Sequence, residues 1–229
     1  MSAPDRATLL ARVEQVRNRI ADAGGDPTRI TLLAVTKGFG PEVALAAADA
    51  GLVDLGENYA QELVAKAPVL VAAGHEVRWH AIGRLQRNKV RSLAPIVHLW
   101  QTVDRAELGA EIARRAPGAR VLAQVNVSDE PQKGGCAPSE AGELVLTLRD
   151  LGLDVAGLMT VGRTGDPADA RAGFAVLRGL ADDLDLPVRS MGMSGDLEAA
   201  VAEGSTLVRV GAALFGPRPS VPERSAAPR

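Results

Sequence analysis

The sequence has very little cysteine and no long apolar run. Its 229 residues include one cysteine, Cys136, which excludes an internal disulfide and favours a reducing compartment. No apolar stretch approaches the roughly 20 residues that a membrane-spanning helix needs. Charged residues interrupt the N-terminal stretch MSAPDRATLLARVEQVRNRI, unlike the apolar centre of a secretion signal. We therefore expect a cytoplasmic protein without a membrane segment.

The sequence also lacks an excess of positive charge and a pattern of metal ligands. The formal net charge is −2 and the isoelectric point is near 6.0, so the chain offers no basic field to nucleic acid. The basic stretch RLQRNKVRSL contains no aromatic residues and is predicted to be a solvated helix face or a local phosphate contact. His80 has no second histidine or cysteine at ligand spacing, so we expect it to be a hydrogen-bonded strand residue.

Short apolar runs alternate with helical patterns along most of the chain. This alternation is typical of parallel β/α units. Eight such units predict an α/β fold, namely a single-domain (β/α)8 TIM barrel with an additional N-terminal helix, and the alternative is a doubly wound open sheet. The candidate strands cover residues 30–35, 52–55, 77–82, 97–103, 120–127, 155–160, 188–191 and 206–210.

Several helices have recognisable starts and ends. The opening helix is predicted over residues 6–23 because its apolar residues share one stripe, and it ends at glycines. Pro41 is expected at the first position of a helix, whereas Asp104 and Ser139 are expected to cap two others.

No linker or change of composition indicates a second domain. Residues 1–218 are therefore assigned to the barrel. Residues 219–229 are rich in proline and almost free of apolar side chains, which predicts a disordered tail.

A lysine follows the first predicted strand directly, in the stretch LLAVTKGFGP. Lys37 shares one strand face with Val35 and Leu33, so in a barrel its side chain is expected at the mouth where the strands end. The alternative is a lysine that extends from the strand end into solvent.

Three features near the end of the chain suggest an anion site at the same mouth. Ser194-Gly195-Asp196 precedes a helix, and Gly211 follows the last strand, at the two places where barrels often bind phosphate. Each is also explained by an ordinary helix cap or turn. Arg209 lies within an apolar strand and needs an acceptor, either a structural carboxylate or a ligand.

An amine, a phosphate site and an inward arginine together match the chemistry of pyridoxal 5′-phosphate (PLP). The strings AVTKG, GENYAQE, WHAIGRLQRNKV, QVNVSDEPQKGG, GLMTV and SMGMSGDLEAAVAEGSTLVRVGAALFG closely resemble the pyridoxal phosphate homeostasis proteins over residues 5–218. That family resembles the barrel domain of alanine racemase and other fold-type III enzymes. Its members bind PLP as a Schiff base without an established catalytic turnover.

The resemblance assigns six cofactor-binding positions. It implies that the cofactor lysine is Lys37, that an asparagine beside the ring is Asn58, and that the partner of the pyridine nitrogen is Arg209. It further implies a phosphate site made by Ser194 and the main-chain amides of Gly211 and Ala212.

The chain departs from many family members at three positions. Phe39 replaces a second lysine, which puts in doubt any transfer role for such a lysine. Ala212 replaces a threonine and removes a hydroxyl from the phosphate site, and Ala81 replaces a phenylalanine, a change expected to alter packing only.

The resemblance implies a monomeric carrier or buffer of PLP that is not an enzyme and that supplies apo PLP enzymes. One alternative is a racemase-like PLP enzyme, although the second base and the second domain of a racemase are missing from the sequence. Another is an aldolase-like enzyme that uses a lysine Schiff base without a cofactor. Gln124 and Asn126 share a strand face with Leu122, and are expected either to orient the site or to form an internal structural network.

Overall fold

The eight apolar runs form strands that close into one parallel barrel. The computed structural model describes residues 3–128, 130, 132–165 and 167–217. Residue 218 and the predicted tail at residues 219–229 lie outside the described residues. Neighbouring strands pair in chain order, and the last strand pairs with the first, with Leu33 opposite Arg209. The predicted (β/α)8 barrel is confirmed, and an open sheet is excluded.

The described strands are β1 (Thr31–Val35), β2 (Asp54–Glu57), β3 (Arg78–Ala81), β4 (Val97–Val103), β5 (Arg120–Gln124), β6 (Asp154–Met159), β7 (Val188–Ser190) and β8 (Leu207–Val210). The described α-helices are α1 (Arg6–Asp22), α2 (Pro41–Asp49), α3 (Ala60–Ala72), α4 (Arg87–Leu93), α5 (Ala106–Arg115), α6 (Ala141–Asp150), α7 (Pro167–Asp183), α8 (Leu197–Ala202) and α9 (Ala212–Phe215). A 3₁₀ turn, Pro138–Glu140, precedes α6.

Apolar residues form two layers. The larger layer packs the helices on the outer face of the strands and includes Leu9, Val13 and Ile20 of the predicted opening helix. A smaller cluster packs inside the barrel and consists of Leu33, Leu99, Leu122, Ala156, Met159 and Leu207. The strands also carry buried polar side chains, among them His80, Gln101, Ser190 and Arg209.

The prediction for the second strand was wrong by two residues. Gly51 adopts a φ of 84°, and the N–H of Leu52 donates to the carbonyl of Ala47 at the end of α2. This Schellman arrangement assigns Leu52 to the helix end, where a buried apolar residue is common. The strand consequently starts at Asp54 rather than at residue 52.

Three further predictions were wrong, whereas the other predicted strand bounds and the end of α1 differ from the structure by at most one residue. β5 ends at Gln124 rather than at residue 127, because beyond it only Val125 makes an isolated bridge, to Cys136. Asp104 does not cap α5, since its carboxylate pairs with Arg105, which itself precedes the helix. Ser139 lies within the 3₁₀ turn and caps no helix.

Cys136 belongs to a short segment that runs beside the end of β5. Its N–H donates to the carbonyl of Gln124, and its carbonyl accepts from the N–H of Asn126. Burial raises the pKa of the Cys136 thiol to about 11. The thiol is therefore held in its protonated form at neutral pH.

Candidate functional site

Lys37 lies in the turn that follows β1, at the mouth of the barrel. Gly38 adopts a φ of 76°, and its N–H donates to the carboxylate of Glu62 at 2.7 Å, which fixes the path of the turn. The Lys37 side chain is half-buried and lines a cavity of about 470 Å³. That volume is within the usual range of small-molecule pockets, about 300–1,000 Å³.

The structure brings all six predicted positions to this one cavity. Its wall includes the side chains or main chain of Lys37, Asn58, Ser194, Arg209, Gly211 and Ala212. These residues come from both ends of the chain, and the pairing of β1 with β8 brings them together. The rest of the described wall is mainly apolar.

The Arg209 guanidinium is buried at this cavity and held by neutral acceptors. Nη1 donates to the carbonyl and to Oγ of Ser190, both at 2.8 Å, and Nη2 donates to the carbonyl of Thr160 at 2.6 Å. A guanidinium has five N–H donors, and these are its three hydrogen bonds with described residues. Two donors therefore remain for a ligand.

Among the described residues, the hydrogen-bond partners of Arg209 are the oxygens of Ser190 and Thr160, so the alternative of a structural carboxylate partner is wrong. Burial lowers the pKa of Arg209 to about 10, while the charge of Asp196 opposes that shift. The side chain remains positively charged at neutral pH. The cavity thus contains a fixed cation whose position does not depend on a ligand.

Main-chain donors also line the cavity. The N–H groups of Gly195, Gly211 and Ala212 make no hydrogen bond with another described residue. The Ser194 hydroxyl accepts from the N–H of Ala213 at 3.3 Å, so its own proton can be donated elsewhere. This set of donors fits an anionic oxygen group such as a phosphate.

Asp196 is not an ordinary helix cap. Its carboxylate accepts from the N–H of Met193 at 2.5 Å and makes no capping bond to α8. It holds the turn that presents Ser194 and Gly195 to the cavity. The alternative interpretation of Asp196 as an ordinary capping side chain is therefore excluded.

A buried ion pair supports the Lys37 turn from beneath, and the sequence analysis did not identify it. Lys66 Nζ lies 2.6 Å from Glu57 Oε1 and donates to the carbonyl of Thr36 at 2.9 Å. The Thr36 hydroxyl also donates to Glu57, whose second oxygen has no partner among the described residues. The sequence signal that could have indicated this ion pair is a lysine at a buried position of the amphipathic helix α3.

Phe39 is one of the three positions at which the chain departs from the resemblance. Its ring lines the cavity and packs edge-on against Phe215, with 5.9 Å between the ring centroids. This position supplies packing to the cavity wall. A second amine is not available there.

His80, Gln124 and Asn126 make hydrogen bonds within the protein. His80 is a hydrogen-bonded strand residue, as predicted, because its Nε2 lies 3.0 Å from Asp54 Oδ1. Gln124 donates to the carbonyl of Gly134, and Asn126 donates to the carbonyls of Glu130 and Lys133. These two amides therefore form an internal structural network rather than lining the cavity.

The predicted basic stretch borders a separate groove of about 590 Å³. The groove shares Asn58 with the cavity and is lined by Tyr59, Gln61, Arg84, Gln86, Lys89, Asp104 and Arg105 among others. It lacks the six predicted positions except Asn58. The structure thus separates the basic stretch from the candidate site.

The described residues contain neither a candidate metal site nor a helix suited to cross a membrane. No three histidine, cysteine, aspartate or glutamate side chains lie together as a possible metal site within the described ranges. Within the same ranges, none of the helices combines the length and apolar character needed to cross a membrane.

Comparisons with known proteins identify the family to which the chain is similar. Residues 5–219 match the family model described as alanine racemase, N-terminal domain. The pyridoxal phosphate homeostasis protein of Pseudomonas aeruginosa is 40% identical over 224 residues, covering 93% of this chain and 96% of the relative. The Escherichia coli protein of the same name is 38% identical over 222 residues, covering 89% of this chain and 94% of the relative.

Solved structures give the same result. PipY of Synechococcus elongatus, solved with PLP bound, has a TM-score of 0.76 and 32% identity, covering 88% of this chain and 100% of that one. An alanine racemase of Clostridium difficile has a TM-score of 0.68 at 18% identity, covering 92% of this chain and 58% of that one, which shows a shared fold only.

Proposed function

The chain belongs to the family of pyridoxal phosphate homeostasis proteins, and we propose that it binds pyridoxal 5′-phosphate reversibly as a carrier or buffer of this cofactor. The observation that supports this proposal most strongly is the single cavity that contains an amine, a fixed guanidinium and a group of unused N–H donors. These three features suit the aldehyde, the ring and the phosphate of PLP, respectively.

Each predicted residue has a role in this proposal. Lys37 condenses with the aldehyde of PLP to form a Schiff base, releasing one water, and the reverse reaction frees the cofactor. Ser194 and the amides of Gly211 and Ala212 bind the phosphate. Arg209 faces the pyridine nitrogen, and Asn58 lies beside the ring.

The proposal extends to the whole protein. Residues 1–218 act as one PLP-binding unit, a cytoplasmic monomer that supplies apo PLP enzymes. The closed barrel supports the assignment of one unit, because the cavity needs strands from both ends of the chain.

Trapping the bound cofactor tests the proposal. The purified protein is mixed with PLP, reduced with borohydride, digested and mapped by mass spectrometry. We expect a visible absorption band before reduction and a reduced pyridoxyl group on Lys37, one of four lysines in the chain. A label chiefly on Lys89 or Lys133 would contradict the assignment. Absence of both colour and label would contradict PLP binding and favour the aldolase-like alternative.

The composition of the cavity wall also supports the proposal that the protein has no catalytic turnover. PLP acts as an electron sink in carbanion chemistry, and a racemase needs two bases beside the substrate. Among the described residues of the cavity wall there is no carboxylate, imidazole, thiol or phenol, and Lys37 is the one amine. The single tyrosine, Tyr59, lines the neighbouring groove instead.

Proton exchange on an amino acid separates this function from a racemase-like enzyme. We expect the PLP-loaded protein to exchange the α-proton of L-alanine in heavy water no faster than free PLP does, because no second base is present. The exchange is followed by proton NMR. Rapid exchange that disappears in Lys37→Ala would show that the protein is an enzyme.

A further inference from the structure

A chain of buried polar side chains crosses the barrel interior from the mouth to the opposite end. It starts at the Arg209 guanidinium and ends at a carboxylate on the first residue of β2. Each link is a hydrogen bond between side chains of two different strands, and the members in order are Arg209, Ser190, Gln101, His80 and Asp54. The exposed Arg78 pairs with the Asp54 carboxylate at the end of the chain.

The lower end of this chain fixes the tautomer of His80. Arg78 donates twice to the Asp54 carboxylate, at 2.8 and 2.6 Å. Burial acts to raise the pKa of Asp54, but the hydrogen bonds from His80 and Arg78 hold it below its ordinary value. An ionised carboxylate only accepts, so His80 must carry a proton on Nε2. Gln101 presents its Nε2 to the other ring nitrogen, Nδ1, which is therefore the acceptor of that contact.

The remaining links follow from that tautomer. Gln101 Nε2 lies 2.8 Å from His80 Nδ1 and must be the donor, which turns its Oε1 toward Ser190. The Ser190 hydroxyl gives its only proton to that oxygen at 2.6 Å. Its lone pairs therefore face Arg209 Nη1, which donates at 2.8 Å. Each side chain in this series of hydrogen bonds therefore has a single orientation.

The surroundings keep this sequence intact. Ser190 and Gln101 are completely buried and His80 is 2% exposed, so water cannot replace a lost partner easily. Without Gln101, the Ser190 hydroxyl would be free to turn, and its proton would compete with the donor of Arg209.

We propose that Gln101 and His80 are positioning residues that hold the Arg209 guanidinium in the orientation that meets the ligand, acting through Ser190. The proposal rests on the proposed function, in which Arg209 faces the PLP ring. Neither residue lines the cavity. Their effect on PLP is therefore transmitted by hydrogen bonds alone.

The first test uses the protein without PLP. Nitrogen-15 NMR of the histidine rings reports which nitrogen of His80 carries the proton. We expect protonated Nε2 and unprotonated Nδ1 in the unsubstituted protein. A proton on Nδ1 would overturn the proposal, because Gln101 would then present its oxygen to His80 and its N–H to Ser190.

The second test compares two buried amides. Gln101→Leu is expected to weaken PLP binding about 3- to 10-fold, the usual effect of one lost hydrogen bond, and to shift the absorption maximum of bound PLP. The matched control is Gln124→Leu. It removes a buried amide of the same barrel that makes no hydrogen bond with the side chains linking Arg209 to Asp54. The control is expected to change affinity by less than about 2-fold.

The outcomes separate this proposal from the proposed function. If the unsubstituted protein binds PLP and both leucine variants behave alike in affinity and spectrum, the positioning role is wrong while the carrier function stands. If the unsubstituted protein fails to bind PLP, the proposed function is wrong, and the positioning role falls with it.

Discussion

Replacement of Lys66 by methionine is expected to lower the free energy of unfolding by about 3–5 kcal/mol, the usual cost of leaving one partner of a buried ion pair alone. Lys66 is 2% exposed, as is Glu57, and the two lie 2.6 Å apart. One Glu57 oxygen already lacks a partner, so the carboxylate has no alternative donor other than Thr36. Urea denaturation followed by circular dichroism measures the change.

Acidic pH should reduce the effect of Lys66→Met. Burial raises the pKa of Glu57, and the charge of Lys66 opposes that shift. A carboxyl with a raised pKa in the folded state costs stability when it ionises, so this cost is absent below its unfolded pKa and appears as the pH rises through the folded value. The loss in Lys66→Met is therefore expected to shrink toward pH 4.5.

The matched control is an exposed ion pair. Arg114 pairs with Glu111 on α5, and its side chain is 57% exposed. Arg114→Met is expected to change stability by less than about 1 kcal/mol. A similarly small loss in Lys66→Met, independent of pH, would show that the buried pair does not support the Lys37 turn.

Replacement of Ser194 by alanine is expected to weaken PLP binding about 5- to 150-fold, because a hydrogen bond to a charged acceptor contributes about 1–3 kcal/mol. The Ser194 hydroxyl lies at the group of main-chain donors in the cavity and accepts one weak hydrogen bond within the protein. Fluorescence titration with PLP measures the affinity, and thermal unfolding without PLP measures stability.

Ser139→Ala is the control for this substitution. Ser139 is exposed and lies in the 3₁₀ turn, outside the cavity wall. Its replacement is expected to leave both measurements unchanged. If Ser194→Ala kept its affinity for PLP and lost thermal stability, Ser194 would be a structural turn residue and the phosphate assignment would be wrong.

The sequence was sufficient to predict the barrel because periodicity reports burial directly. Alternating apolar runs and helical stripes identify elements, and eight β/α units leave few arrangements. The boundary of β2 was missed because Leu52 is apolar and buried in both readings, as a strand residue or as the residue after a helix end. Local backbone geometry at Gly51 decides between them, and periodicity contains no information on it.

Only part of the candidate site was predicted from the sequence. Lys37 and Arg209 stand out because a charged residue beside an apolar strand needs an explanation, and the structure brings both to one cavity. The series of hydrogen bonds through Gln101 and Ser190 was not predicted. Each is a single polar residue in an apolar strand, and only the closed barrel shows that strands four and seven meet across the interior.

The condition of Cys136 has a consequence for the chemistry of aldehydes. Thiolates attack carbonyl carbons as amines do, and the thiolate is the reactive form of cysteine. Because burial raises the pKa of the one cysteine of the chain to about 11, its thiol stays protonated at neutral pH. An aldehyde in the cavity therefore meets the Lys37 amine without competition from a thiolate, because Cys136 is protonated and is not among the described residues of the cavity wall.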